Sequence, residues 1–311
     1  MKYTAFHGYR VSQLSLGTIQ LGMDYGIANT KGAPNEAEAF RILDVARESG
    51  INTFDCARTY GRAEEVLGNY FANKPAGDLI VSKFKYDWEP GISVETAWQR
   101  TTTTIEQSLQ ALQVSQIPVC LYHKGPGEPM EEVMRIVPIM IERLKEKGYI
   151  RHAGLSLYYS ADAHGLDDSP YFEALQIPMN VLDQALITEG LLEKLHGAGK
   201  LIFIRSVFLQ GLFFQSPGAL NETLKPAIPF LEKIKTLADE HGMTVAQLAF
   251  GFIRDLPHVD SLVIGAENQE QIRTNLDLLR GPRLPDPLRD TLSNLSKHVP
   301  RQVITPGLWG K

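Results

Sequence analysis

The stretch 51-INTFDCARTYGRAEEVLG-68 decides how this chain is read. A short β-branched and aromatic run, Ile51 to Phe54, stops at Asp55. Tyr60 and Gly61 follow in a polar loop, and an acidic segment beginning near Ala63 has the composition of a helix start. The order is strand, loop, helix, and Asp55 and Tyr60 stand where the packing pattern ends.

That order repeats in both directions. SQLSLG leads to NEAEAFRILDVARESG, and LIVSKF leads to a helix over roughly VETAWQRTTTTIEQSLQAL. VCLYHKG leads to PMEEVMRIVPIMIERLKEKG, where Pro138 predicts a kink or local break. HAGLSLY is followed by a shorter polar helical stretch from near Ser160, and EALQIPMN by ITEGLLEKLHGAGK. LIFIRSV precedes a longer excursion and two helical segments, and SLVIGA precedes NQEQIRTNLDLL. These are eight strand-then-helix units whose strands are too apolar for a half-solvated sheet, so helices must cover parallel strands. Eight such units in 311 residues predict one closed (β/α)8 barrel, a TIM barrel spanning 1–311 as a single domain. The rival open doubly wound sheet lacks its phosphate-binding turn, because the segment after the first strand is LGTIQLG, neither a P-loop nor G-x-G-x-x-G. The first residues, KYTAFHGYRVSQL, predict a short β-hairpin across the barrel bottom.

Composition bounds the partners. Hydrophobic residues make up 43% and charged residues 22%, with a formal charge of -5 that gives no sign of nucleic-acid binding. The start of the chain has no long apolar run, and no stretch approaches a membrane span. Cys56 and Cys120 are the only cysteines and have no metal-ligand spacing, which suits a reducing compartment. The expectation is a soluble cytoplasmic protein without membrane or nucleic-acid partners; its oligomeric state is not legible.

In a barrel the working face is built at the C-terminal ends of the strands. Asp55 closes NTFDCA, Lys83 closes LIVSKF, His123 closes VCLYHKG, and Tyr60 lies in the loop after the second of the eight main strands. Singly, each has an ordinary explanation: a helix cap, a solvated lysine, a satisfied buried histidine, a packed turn. Three adjacent strands that each end in an ionisable side chain favour a common site. From residue types alone, a Schiff-base aldolase at Lys83 stays open there.

GINTFDCARTYGRAEEVLG, with the lysine of VSKF and the histidine of LYHKG, resembles the aldo/keto reductases, (β/α)8 barrels that use nicotinamide cofactors. The similarity runs from SLGTIQLG to IGAENQEQIRTNL, most of the chain. It implies that Tyr60 exchanges a proton with the substrate oxygen and that Lys83 lowers the cost of the tyrosinate. Asp55 would orient Lys83, and His123 would position the carbonyl. A tyrosine with an ordinary pKa near 10 needs such a cation to act near neutrality. Hydride transfer would be direct, with no metal required.

The resemblance also implies a cofactor set. Ser156 and Gln176 align with residues that hold the nicotinamide carboxamide, although Leu157 stands where asparagine is usual. Arg205 falls where many relatives place a stacking aromatic, a role an arginine plane can fill. Ser206, Leu209 and Gly211 would meet the pyrophosphate, Gly265 begins the turn into a helix start that would hold phosphate oxygens, and Gln271 and Asn275 would approach the adenine end. Glu267 suits a ribose diol better than a 2'-phosphate, a lean towards NAD over NADP. The substrate would be an aldehyde, ketone or sugar, or the matching alcohol, with Trp88 and Trp309 as candidate contacts at the mouth. A catalytically weak nicotinamide-binding regulatory protein is the alternative from the same fold.

Overall fold

The computed structural model describes residues 1–27, 29, 32–75 and 77–310. Two short strands, β1 (Tyr3–Phe6) and β2 (Tyr9–Ser12), pair antiparallel around the turn His7–Gly8. Both turn residues have positive φ, 45° and 88°, as a two-residue hairpin turn of matching twist requires.

Eight parallel strands follow: β3 (Leu14–Gly17), β4 (Thr53–Asp55), β5 (Leu79–Phe84), β6 (Ile117–His123), β7 (Ile150–Ser156), β8 (Ala174–Pro178), β9 (Leu201–Arg205) and β10 (Ser261–Gly265). Each pairs with the next, and β10 closes on β3, giving the (β/α)8 barrel with its N-terminal hairpin. Alternation along the strands separates two cores. Leu79, Val81, Val119, Leu121, Ala174, Leu201 and Phe203 cluster inside the barrel with Phe6 and Val11 of the hairpin, which plugs the end where the strands start. Ile80, Cys120, Leu175 and Ile202 belong to the larger cluster under the helices. Continuing the inner alternation by two residues places Lys83, His123 and Gln176 at the opposite end.

The helices differ from the expectation in two places. Helix Met130–Glu146 is continuous through Pro138, so the predicted break is absent: flanking Ile136, Val137, Met140 and Ile141 are buried on one face and carry the helix across the missing N–H. After β7 only a four-residue 3₁₀ turn, Ser160–Ala163, stands where a helix is expected. Gly165 at φ +76° and Pro170 turn that polar segment back to the barrel. Elsewhere the caps set the boundaries. Asn35 and Glu38 form a reciprocal box for Glu36–Glu48, and Ser93 caps Val94–Leu112. Among the described residues no helix is long and apolar enough to cross a membrane.

Candidate active site

The loop after β4 is seated by close backbone contacts. Thr18 donates both its N–H and its hydroxyl to the Asp55 carbonyl at 2.9 Å, tying the loop after β3 to the end of β4. Gly22 and Gly61 then meet face to face. A Cβ on Gly22 would lie 1.9 Å from the Tyr60 carbonyl oxygen, and Gly61, at φ +58°, lies against the Gly22 carbonyl. No other residue allows that approach, which turns Tyr60 over the barrel mouth.

There the ionisable ends meet. Lys83 Nζ donates to Asp55 Oδ1 at 2.6 Å, to the Cys56 carbonyl at 2.8 Å and to the Tyr60 hydroxyl at 3.3 Å. Asp55 and Lys83 are almost wholly buried, and Tyr60 and His123 are half-buried. The rings of Tyr60 and His123 stand perpendicular with centroids 6.1 Å apart. Burial raises Tyr60 above its ordinary value, and the Lys83 ammonium opposes that rise. Burial alone would lower Lys83, but Asp55 and then Tyr60 reverse this and hold it above its usual range. Burial, reinforced by the charges of Lys83 and Arg205, pushes His123 down to about 3, so its imidazole is neutral at physiological pH. The arrangement holds a proton on tyrosine beside a permanent cation and a neutral hydrogen-bonding ring.

The same carboxylate reaches the opposite wall. Gln176 Nε2 donates to Asp55 Oδ1 at 2.6 Å, and Ser156 Oγ donates to Gln176 Oε1 at 3.1 Å. Arg205 is half-buried at the end of β9 and donates to the Ser206 hydroxyl at 3.0 Å and the Leu157 carbonyl at 2.9 Å. Its charge acts on both Tyr60 and His123, so it faces the mouth and not the helices. Beyond it the backbone turns left-handed at Ser206, Leu209, Gln210 and Gly211, with φ of 65°, 48°, 54° and 89°. Three non-glycine residues in that region cost on the order of 1 kcal/mol each, and within the turn the Leu209 and Gly211 N–H groups donate to the Ser206 and Phe208 carbonyls, both at 2.9 Å.

Gly265 and Gly17 are partners across β10 and β3, and the Gln20 amide lies in the space a side chain at Gly265 would take. A Cβ on Gly265 would lie 2.2 Å from Gln20 Oε1, a buried acceptor with no hydrogen-bond partner. At the start of helix Gln269–Arg280, Asn268 caps the Gln271 N–H at 2.9 Å, and Gln271 Oε1 accepts the Glu267 N–H at 2.7 Å. Asn275 is buried one turn on, and Arg273 pairs with Glu270 at 3.7 Å on the exposed face. An unpartnered amide oxygen, strained backbone and a capped helix start, all beside a polar chain, fit a dinucleotide.

The family model described as "Aldo/keto reductase family" matches residues 13–287. The chain belongs to the aldo/keto reductase family. It is 23% identical to an uncharacterized oxidoreductase, YqkF, of Bacillus subtilis, covering 94% of each chain. It is 27% identical to a probable voltage-gated potassium channel subunit beta of Arabidopsis thaliana, over 86% of this chain and 88% of that one. Among solved structures, an aldo-keto reductase from Bacillus halodurans in its holo form aligns with a TM-score of 0.75 at 20% identity, covering 98% of this chain and 99% of that one. A glycerol dehydrogenase from Gluconobacter oxydans aligns at 0.70, with 20% identity and 96% coverage of both. At these identities the structural matches speak for the fold.

The aldo/keto reductase barrel places Trp309 differently from the expectation. Trp309 is 4% exposed, and its indole N–H donates to the carbonyls of Gln302 at 3.1 Å and Val303 at 3.2 Å. It anchors the C-terminal segment and has no free face for a substrate, since a tryptophan buries its body once its N–H is satisfied. Trp88 is half-buried, packed against the core beside Glu132. The C-terminal segment nevertheless reaches the rim, where Gly307 lies against the Tyr158 hydroxyl and Arg301 sits 4.4 Å over the Tyr159 ring. Two mouth residues were missed. Tyr25 is half-buried beside Gln210, raised by burial and held within the field of Arg205 and Lys83; Tyr158 also feels Arg205. An aromatic in the loop after the first strand, 18-TIQLGMDYG-26, was the available signal. Cys56 and Cys120 are buried free thiols; burial pushes Cys56 up to about 12 and raises Cys120 as well, so neither is a nucleophile.

Proposed function

We propose that the protein interconverts a carbonyl compound and an alcohol with a nicotinamide cofactor, Tyr60 exchanging the proton. The observation that carries this reading is Lys83 Nζ lying between Asp55 Oδ1 at 2.6 Å and the Tyr60 hydroxyl at 3.3 Å. When bound, a nicotinamide supplies or accepts the hydride. The chain's own residues do the rest. Tyr60 gives its hydroxyl proton to the developing alkoxide, Lys83 stabilises the oxygen left behind, and Asp55 keeps Lys83 charged and aimed. Neutral His123 donates to or accepts from the substrate oxygen without competing for the proton.

Ser156 and Gln176 would hold the carboxamide and Arg205 the ring face. The Ser206–Gly211 backbone would meet the pyrophosphate, the helix start after Gly265 phosphate oxygens, and Glu267, Gln271 and Asn275 the adenosine. Half-buried Glu267 and the engagement of Arg273 with Glu270 support NAD over NADP. The partner would be a small aldehyde, ketone, sugar or polyol in the cytoplasm. The fold likeness to a glycerol dehydrogenase supports the polyol class.

Two other chemistries are weaker. A Schiff base needs a free amine, whereas Lys83 is held above its usual range with three acceptors. The plant channel-subunit relative supports a nicotinamide-binding regulatory protein, which would bind cofactor without appreciable turnover. Cofactor-fluorescence titration with NADH and NADPH, then turnover of a carbonyl panel with the better binder, tests the reading. Binding of NADH several-fold tighter, with turnover, supports it; Glu267→Arg should then favour NADPH. Binding without turnover supports the regulatory protein, and absence of binding rejects both.

A further inference from the structure

We propose that Gln176 transmits cofactor occupancy to the proton-transfer group, as a positioning residue between a bound nicotinamide carboxamide and the Asp55–Lys83–Tyr60 chain. This rests on the nicotinamide reading above. Asp55 Oδ1 accepts two short hydrogen bonds, from Lys83 Nζ and from Gln176 Nε2, both at 2.6 Å. The Asp55 carboxylate, ion-paired with Lys83, only accepts, so the NH₂ end of the Gln176 amide must face it and the carbonyl end must face Ser156, whose hydroxyl donates at 3.1 Å. Gln176 is 1% exposed, so its bonds to Asp55 and Ser156 are shielded from bulk water. The hydrogen-bonded chain therefore runs Ser156, Gln176, Asp55, Lys83, Tyr60, across β7, β8, β4, β5 and the loop after β4.

The carbonyl oxygen of Gln176 has two lone pairs, and Ser156 takes one. The other suits an N–H of a carboxamide. A donor there polarises the amide and strengthens its N–H contact with Asp55, because hydrogen bonds in series reinforce one another in a low-dielectric site. Asp55, better satisfied by Gln176, then competes less for the Lys83 ammonium, which is left to the Tyr60 oxygen. The sign follows: an occupied carboxamide site favours ionised Tyr60. The charged groups that act on Tyr60 are Lys83 from β5, Asp55 from β4 and Arg205 from β9, with the His123 ring of β6 edge-on to it. The charge of a nicotinamide ring would act on Tyr60 directly as well, and variants separate that contribution from the one through Gln176.

The measurement is the number of protons released when NAD⁺ binds, read by calorimetric titration at alkaline pH in buffers of different ionisation enthalpy. Wild type should release a fraction of a proton that Tyr60→Phe does not, corresponding to a shift of about one unit at Tyr60. Gln176→Met, at saturating NAD⁺, should lose at least about half of that release, the portion carried through the amide. Ser156→Ala should bind NAD⁺ more weakly and keep the release. Should Gln176→Met fold poorly, Gln176→Asn keeps an amide that is too short to reach Asp55. A merely structural role for Gln176 lowers affinity and leaves the release at the wild-type value, and that result overturns the proposal. Failure of wild type to bind either NAD⁺ or NADP⁺ would overturn the function itself, a separate outcome.

Discussion

At the end of the barrel where the strands start, Glu173 accepts from His152 Nδ1 at 2.6 Å and Lys145 Nζ at 2.5 Å, with His7 Nε2 at 3.2 Å. At the other end, Asp55 accepts from Lys83 and Gln176, both at 2.6 Å. Both carboxylates gather donors from several elements, yet they do different work. Glu173, just before β8, ties the hairpin turn to β7, to helix Met130–Glu146 and, through its carbonyl, to the Leu201 N–H of β9 at 3.0 Å. The His7 and His152 rings stack nearly parallel, 13° apart in plane with centroids at 4.4 Å, and each turns a ring nitrogen to Glu173 Oε2. Asp55 instead hands its partner onward: Lys83 keeps one longer contact, to Tyr60, whose hydroxyl borders the mouth. The lower carboxylate ties elements together as a latch, whereas a proton-transfer chain leaves one bond slack where the reacting atom must come.

The largest expected effect is at the mouth. Lys83→Met leaves Asp55 buried beside a single amide, so turnover should fall by at least roughly 10²-fold. Stability should fall by about 3–5 kcal/mol, the usual scale for removing one partner of a buried pair. Lys83 is held above its ordinary value, so its contribution is full below about pH 10.4 and lost as pH rises through the folded value. Urea midpoints across pH check the sign. Phe6→Ala, which empties the plug inside the barrel, should cost about 3 kcal/mol while turnover at saturating cofactor stays at the wild-type value. A matching loss of turnover would show that the two ends are coupled and break the comparison.

Glu173→Gln should cost about 1–3 kcal/mol and again spare turnover. Burial opposes ionisation of Glu173, but Lys145 and His152 outweigh it and hold the carboxyl below its usual range. Its contribution is therefore present above about pH 4.3 and disappears as pH falls through the folded value, so the variant and wild type should converge in acid. His123 shows the opposite chemistry. Its folded value of about 3 lies below the unfolded one near 6.5, so the unfolded chain binds the extra proton. Wild-type stability should decline as pH falls from about 6.5, and His123→Asn should flatten that slope. A His123 ring that titrates by NMR near its ordinary value would contradict the burial argument.

The two ends also differ in how much of them can be read from sequence. Asp55, Lys83 and His123 are legible because a strand's period of two carries the inward face to its C-terminal end, and three adjacent strands each place an ionisable side chain there. The hairpin is legible from its alternation and its His–Gly turn. The latch is not, because His7, His152 and Glu173 meet only after the barrel closes and the hairpin folds beneath it. The bond from Gln176 to Asp55 spans 121 residues and depends on the curvature that brings β8 opposite β4. Pro138 misleads because burial on both sides of it carries the helix through. The missing helix after β7 is a matter of Gly165 and Pro170, whose effect on a short polar segment depends on how far it must travel. Trp309 reads the same in sequence whether it covers a mouth or fills a core; only its indole partners show that it fills a core.

The central claim is that the slack contact at the mouth, Lys83 to Tyr60, is where a proton moves. Tyr60→Phe removes that proton and keeps the ring that meets His123 edge-on. Single-turnover hydride transfer, followed by nicotinamide absorbance at saturating cofactor with folding and occupancy verified, compares the variant with wild type directly. The account predicts a rate lower by at least roughly 10²-fold with cofactor affinity little changed. Near-equal rates would contradict it and leave the Asp55–Lys83 pair, like Glu173 below, a latch.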